Sequence, residues 1–377
     1  VTEVLAGDCV EVRGNARNQY SIWDPREVCA TRLVDSHSEA RSLLRETTQA
    51  CIDSWVQVFP NVLHGLSGGL DSAIVLGCLK RAPALRQVTC VNFYSATVGD
   101  DERRFARRAA AFNDVILKEQ ERTYDERLFD TRLLLEPKTS KPTLTALFDI
   151  DERAFSERIA RPTGAASMWT GEGGDHLFLA MKSICGAVDH VANRGFCLET
   201  LSEISNAARL SGIPFWSVLK AVSSSACRRR VSALDQLFRP DLAFLSPQAL
   251  PTSPVDFLAS PWMTSARDLP AGKREQIFYL ADILNRKRPV AGLEFGAQHH
   301  PLLSQPLIEL CLQIPTYVLS AGGRERGLAR AAFGDLLPVE IANRFDKGET
   351  SSYLMDVIRG SSAFIAELLA DGFLAQS

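Results

Sequence analysis

The chain has 377 residues, 46% hydrophobic and 23% charged, with 42 Lys+Arg against 45 Asp+Glu and a formal net charge of −3. That length and apolar content suffice for a large core in two or three domains, and the balance excludes a bulk polycation that would hold nucleic acid by charge alone. No apolar run reaches the ~18 uncharged residues of a membrane span; the stretch from His176 to Ala192 is interrupted by Lys182 and Asp189.

The nine cysteines are spread from Cys9 to Cys311 with no C-x-x-C pair. An odd count without paired spacing argues against a disulfide framework or zinc knuckle and reads as buried thiols in a reducing cytoplasm. The adjacent pair His299-His300 has no Cys or carboxylate at ligand spacing, so metal binding through histidine is not expected. The chain starts at Val1 with no signal-peptide pattern and reads as trimmed, or as one piece of a longer protein.

Residues 1–30 are turn-rich and β-like: Val10-Glu11-Val12 alternates, Gly14-Asn15 signals a turn, and a short strand over 20–23 ends at Asp24-Pro25. Ser36-His37-Ser38-Glu39 matches a capping box, and a helical stretch follows to Val58, stopped by Pro60. Strand and helix then alternate. The pattern predicts strands over 62–66, 88–94, 115–117 and 166–170, and helices over 71–81, 101–112 and within 143–159. Such alternation implies an α/β fold, a parallel sheet with helices on both faces, with ligands at the carboxyl ends of the strands. After Asp175 helical periods dominate, broken by a Pro-rich stretch over 240–270.

The strongest chemical signal is Ser67-Gly68-Gly69-Leu70-Asp71-Ser72, directly after the first of these strands and opening a helix. Two glycines let the backbone approach a phosphate, N–H groups at the helix start bind anions, and the Ser67 and Ser72 hydroxyls add donors. Asp71 would repel phosphate unless a cation stands between them, which implies Mg²⁺. No Lys follows the glycines, so this is not a Walker A loop. The hexapeptide resembles the PP-loop of the ATP-pyrophosphatase superfamily, whose members hold the pyrophosphate of ATP.

A second loop, Thr170-Gly171-Glu172-Gly173-Gly174-Asp175-His176-Leu177-Phe178, resembles the S-G-E-G-[AS]-D-E-[LV]-F stretch of the asparagine synthetase family. Its glycines allow close approach to the nucleotide, Asp175 reads as a second Mg²⁺ ligand, and Glu172 as an acid/base group near the reacting carboxylate. Arg344-Phe345-Asp346-Lys347-Gly348 resembles the R-x-x-K segment of that family, in which the Lys stabilises charge on the adenylation transition state. His300-Pro301-Leu302-Leu303-Ser304 resembles V-P-F-L-D, and Arg324 to Phe333 with Leu336-Leu337-Pro338 resembles a K-x-x-L-R-x-A stretch ending in L-P.

The resemblance runs from about residue 1 to about residue 350. It implies a PP-loop (HUP-like) adenylating domain plus a helical C-terminal region, using ATP and Mg²⁺ to activate a carboxylate for attack by nitrogen. It further implies that Leu66, Phe93 and Gly171 border the nucleotide. The implied organisation is a remnant or linker of an upstream glutaminase-like domain over 1–30, an ATP-binding core over 31–185 and a helical part over 186–377 that completes the site.

Two departures point away from aspartate as substrate: His176 replaces the usual Glu, and Ser304 the usual Asp. β-Lactam synthetases carry a Tyr where this chain has Glu172. The segment before residue 60 has no room for a glutaminase domain, and Leu5-Ala6-Gly7-Asp8 through Asp24-Pro25 resembles the tail of one. The branch most similar is that of lasso-peptide macrolactam synthetases, or lasso cyclases. That likeness implies a precursor core peptide as substrate, and a leader peptidase and leader-recognition protein as partners, in the cytoplasm and without nucleic acid. The alternatives are an asparagine synthetase or related amidotransferase whose glutaminase domain is not in this chain, and a non-catalytic ATP-binding scaffold. A tRNA-modifying PP-loop enzyme would need a strongly basic surface, which the net charge of −3 disfavours.

Two arginine runs read as solvated faces: Arg103, Arg104, Arg107 and Arg108 behind Asp100, Asp101 and Glu102, and Arg228-Arg229-Arg230. Pro214-Phe215-Trp216 and the segment 240–262 read as core packing, or as the apolar wall of a peptide groove.

Overall fold

A computed structural model of the chain describes residues 4–94, 101–121, 156–228, 262, 268–286, 298–345, 355 and 358–370. The chain forms two compact units, one of residues 1–48, 173–287 and 302–333, the other of 49–172, 288–301 and 334–377.

The first unit opens with a hairpin, β1 (Asp8–Arg13) antiparallel to β2 (Ala16–Ser21), with Arg13 opposite Ala16. Gly14 turns the chain at φ 60, a conformation that favours glycine. β2 stops at Ser21, short of the expected Trp23, because Ile22 N–H and Trp23 N–H both donate to Gly7 O, at 2.8 and 3.2 Å. Asp24-Pro25 does end the strand, and it also starts a helix that the sequence reading did not anticipate, α1 (Pro25–Thr31). Asp24 caps it by accepting from Arg26 N–H at 2.8 Å, with Pro25 in the first turn. α2 (His37–Val58) follows, its residues from Gln49 on belonging to the second unit.

The rest of this unit is helical. The helices Cys185–Arg194, Leu198–Ser211 and Phe215–Arg228 share a core of Ala187, Val191, Ile204, Ala207, Val218 and Val222, with Phe215 packed against it. Trp216, by contrast, is exposed. Buried Asp189 accepts from Gly272 N–H at 2.7 Å and Thr316 Oγ–H at 2.6 Å. It thereby ties the helices Ala271–Arg286 and Thr316–Leu319 to its own. Burial pushes its carboxyl up to about 6 against those two hydrogen bonds.

The second unit is built on a parallel five-stranded sheet, ordered β5-β4-β3-β6-β7. The strands are β3 (Asn61–Gly65), β4 (Gln87–Tyr94), β5 (Ile116–Glu121), β6 (Met168–Trp169) and β7 (Gln298–His299). The first four match the expected strands to within a few residues. β7 was not expected: His299 is wedged between the Trp55 and Phe59 rings of α2 and its tail, with centroids 4.7 and 4.5 Å away. α3 (Leu70–Leu79) is buried at every position, as an apolar run with no polar face requires. Gly77 admits Leu336, whose Cβ lies 2.8 Å from where a Gly77 Cβ would stand.

α4 (Arg103–Phe112) buries a stripe of Ala106, Ala109 and Ala110. Three of its four arginines pair with acids, Arg103 with Asp101 at 2.6 Å, Arg107 with Glu119 at 2.5 Å and Arg108 with Glu340 at 3.8 Å, while Arg104 lies 4.6 Å over the Phe105 ring. The expected solvated face is thus also an ion-paired one, which the sequence pattern does not specify. Of the helix expected within 143–159 only the end is described, as a π-turn over Ser156–Ala160. Arg229, Arg230 and residues 240–261 lie outside the described residues. Five described cysteines (Cys51, Cys78, Cys90, Cys185 and Cys311) are buried thiols, while Cys197 is exposed. Among the described residues no helix is long and apolar enough to cross a membrane.

His64 on β3 is fully buried and held down to about 4, chiefly by burial. Its folded-state value lies below the ordinary 6.5, so the unfolded chain binds more protons between the two. We expect stability from a neutral His64 to be complete above pH 6.5 and to be lost as pH falls towards 4, by roughly 3 kcal/mol. The urea midpoint advantage of the wild type over His64→Asn should shrink across that window; a difference independent of pH would contradict the assignment. Asp189 acts with the opposite sign, its contribution present at low pH and lost as pH rises through about 6, but it is common to both proteins and cancels in the comparison.

Candidate functional site

The site lies at the carboxyl ends of β3 and β6. Leu66, just past β3, donates its N–H to Val91 O at 2.8 Å, and its carbonyl accepts from buried Asn92 Nδ2 at 2.8 Å. The next residues close a ring of hydrogen bonds. Gly69 N–H donates to Ser67 Oγ (3.2 Å), Ser67 and Ser72 hydroxyls meet at 3.1 Å, and Ser72 Oγ–H donates to Gly69 O (3.2 Å). Gly68 stands at φ 88, and a Cβ there would lie 2.9 Å from Glu102 O and 3.0 Å from Ala106 N. A side chain is thus excluded twice, by conformation and by the start of α4. Gly69 caps α3 without a side-chain hydrogen bond, leaving the first-turn N–H groups to the loop. Asp71 sits in that first turn and is buried. Beneath it, His64 Nε2–H donates to Ser72 O at 2.8 Å; the neutral ring fixes the turn without adding charge.

Gly171 brings the second loop onto the first. A Cβ on it would lie 2.3 Å from Ser72 N, 2.6 Å from Ser72 Cα and 2.7 Å from Asp71 C. Only a bare backbone fits there, and Glu172 is therefore the first side chain past that contact. Its N–H donates to Thr170 Oγ at 3.2 Å. The same hydroxyl lies 2.7 Å from His300 Nδ1, which is 3.6 Å from Glu172 Oε2. Phe93 packs with Leu63, Val91, Ala160 and Ala165 beside the loop strand.

Arg344 is a site residue that the R-x-x-K resemblance contains without implying a role for it. Its guanidinium lies 3.9 Å over the Phe105 ring, donates to Gly68 O at 3.4 Å and pairs with Glu102. The R-x-x-K spacing was the available signal. Lys347, three positions on, lies outside the described residues.

Asp175 belongs to the helical unit, in the short helix Gly174–Leu177, where its carboxylate accepts from the buried Arg326 guanidinium. His176 faces the Tyr279 ring edge-on at 6.3 Å. In the same unit His190, Cys197 and Glu199 place one ligand atom each within 4.8 Å of one another, a grouping that sequence spacing did not suggest. Each has a protein partner, His190 and Cys197 in Thr200 and Glu199 in Arg194.

Backbone N–H groups, two hydroxyls and a buried carboxylate thus gather on one turn at a strand end, a donor set suited to a polyphosphate carrying a hard cation. Asp71 fits an oxygen ligand for Mg²⁺ within the sheet unit. Residues 39–377 match the family described as asparagine synthase. The chain belongs to that family. Membership makes it an ATP-using synthetase of the amide-forming kind. No curated protein matches the chain. Among solved structures, the NH3-dependent NAD synthetase from Campylobacter jejuni subsp. jejuni NCTC 11168 in complex with the nitrate ion matches over 62% of this chain and 96% of that one, at 17% identity and a TM-score of 0.26.

In this asparagine synthase family member Gly171→Ala should push the second loop off the first turn of α3. We expect ATP affinity to fall tenfold or more by calorimetry, with a melting temperature within a few degrees of wild type. Undiminished ATP binding would remove the contact from the site.

Proposed function

We propose that the chain is a lasso-peptide cyclase. It adenylates an Asp or Glu side chain of a ribosomal precursor peptide and closes a macrolactam with the peptide's own N-terminal amine. The observation that supports the synthetase chemistry is the seating of Gly171 on Asp71 and Ser72, which makes Glu172 the first side chain past that contact. Two departures from the aspartate-using pattern, His176 and Ser304, favour a larger carboxylate substrate.

In this reading Ser67, Gly68, Gly69 and Ser72 hold the pyrophosphate of ATP, while Leu66, Phe93 and Gly171 border the nucleotide. Asp71 would hold Mg²⁺, which when bound neutralises charge between phosphates. A substrate carboxylate oxygen attacks the α-phosphorus and pyrophosphate leaves. The amine lone pair then forms the C–N bond as the C–O bond to AMP breaks, and the nitrogen gives its proton to Glu172. Lys347 offsets the negative charge that develops in adenylation. Holding the carboxylate and the amine of one peptide in one pocket makes the second step intramolecular. The partners of this reading are the core peptide, a leader peptidase and a leader-recognition protein. An asparagine synthetase or other amidotransferase is the second reading, favoured by the family match itself.

The test is ATP-dependent pyrophosphate release with synthetic peptides, each free at the N-terminus and carrying one internal Asp or Glu, against aspartate with ammonia or glutamine. Release with a peptide, and a product lighter by one water, is the expected result; release with aspartate alone would establish the second reading instead. Asp71→Ala should abolish release while retaining the wild-type circular dichroism. Lys347→Ala should lower kcat at least a hundredfold with little change in the KM for ATP; an effect confined to KM would contradict its role.

A further inference from the structure

The parallel register pairs Trp169 with His299, so the next residues on each strand, Thr170 and His300, lie side by side at the carboxyl edge of the sheet. Thr170 N–H donates to His299 O at 3.1 Å and extends the pairing to this point. The imidazole of His300 is therefore placed by backbone pairing on one side and by the lodging of His299 between two aromatic rings on the other. Its Nδ1 is the atom turned to the site, 2.7 Å from Thr170 Oγ and 3.6 Å from Glu172 Oε2. Thr170 Oγ also accepts from Glu172 N–H. The backbone of the glutamate is thus held by the threonine hydroxyl, and its carboxylate stands 3.6 Å from the imidazole.

Exposure separates the two residues. The Glu172 side chain is 38% exposed and that of His300 14%. The carboxylate reaches outward while the imidazole stands behind it. The family segment that this one resembles has an apolar residue where His300 stands, and an aliphatic side chain offers nothing to a carboxylate.

We propose that His300 is a positioning residue for Glu172. Its Nδ1–H, with the Thr170 hydroxyl, orients the carboxylate so that one oxygen faces the attacking amine. The proposal rests on the synthetase reading. The 3.6 Å separation is longer than a hydrogen bond, and such contacts shorten when the substrate is in place. The bond changes remain those of the amide step: C–N forms, C–O to AMP breaks, and the amine proton passes to Glu172. His300 acts in the second half of the reaction, so its loss should separate activation from amide formation.

The experiment measures amide formed per pyrophosphate released, with the full chain, ATP and the peptide from the panel above that gives the most pyrophosphate. We expect this ratio to fall tenfold or more in His300→Val, as activated carboxylate is lost to water. Recovery to within threefold of wild type is expected in His300→Asn, whose side-chain N–H can replace Nδ1–H. A purely structural role would lower both products together and leave the ratio unmoved. An unchanged ratio in His300→Val, or an equally low one in both variants, would overturn the proposal. Should His300→Val fail to fold, Thr170→Val removes the same hold from the other side and must lower the ratio likewise. Absence of pyrophosphate release by the wild type with every carboxylate would overturn the synthetase reading, and the proposal with it; release with an unmoved ratio overturns the proposal alone.

Discussion

The meeting of two backbones at Gly171 governs the rest of the sheet unit's site. A single methylene on that residue would stand 2.3 Å from a main-chain nitrogen at the start of α3. Backbone at a helix start cannot yield as a flexible side chain can, and α3 is packed on every face. Because β6 ends where it does, the chain passes over the first turn of α3 and leaves Glu172 beside the serine ring. The loop's own geometry is compatible with many phosphate ligands; the crossing chain adds a carboxylate, Glu172, next in sequence to the contact.

The polar groups under the loop are chosen for neutrality. His64 supports Ser72 from below as an uncharged ring, since burial penalises its cation. A lysine there would bring a permanent charge to a dry strand, and an aliphatic residue would bring no donor. The helical unit solves a similar packing problem with Asp189, which accepts from Gly272 and Thr316 where three helices converge. Both devices place a titratable group where its charged form is disfavoured, and they respond to acid in opposite directions.

Much of this was legible in the sequence where the signal is local. The strands β3 and β4 are continuous runs with ordinary lengths, β5 is announced only by its apolar start because Lys118 to Glu121 are polar, and Ser67 to Ser72 contains its whole hydrogen-bond ring within one turn. β7 was not legible, because a two-residue strand has no period; it exists through its partner β6 and through the rings on either side of His299. The place of His300 beside Glu172 is hidden for a related reason. His300 stands in an adjacent histidine pair and opens the segment that resembles V-P-F-L-D, but neither pattern gives it a role; its meaning comes from a neighbour 130 positions away in the chain. Arg344 lay inside a quoted motif, yet its grip on Gly68 depends on α4 delivering Glu102 and the Phe105 ring to the same spot. The helix after Asp24-Pro25 was hidden by a signal with two meanings, since a residue pair that ends a strand is also a good helix start.

The segment from Leu336 to Arg344 is moored twice. Leu336 fills the notch that Gly77 leaves in the last turns of α3, and Arg344 reaches the Gly68 carbonyl before that helix begins. The stretch therefore works as a gauge laid along the helix, its residue count set by the span between two fixed marks. Surface connections usually absorb an added or deleted residue with little effect. Here a change of one residue would pull one mooring loose or throw the chain beyond it out of step, and that chain carries Lys347. Variation in the length of this protein is better tolerated elsewhere.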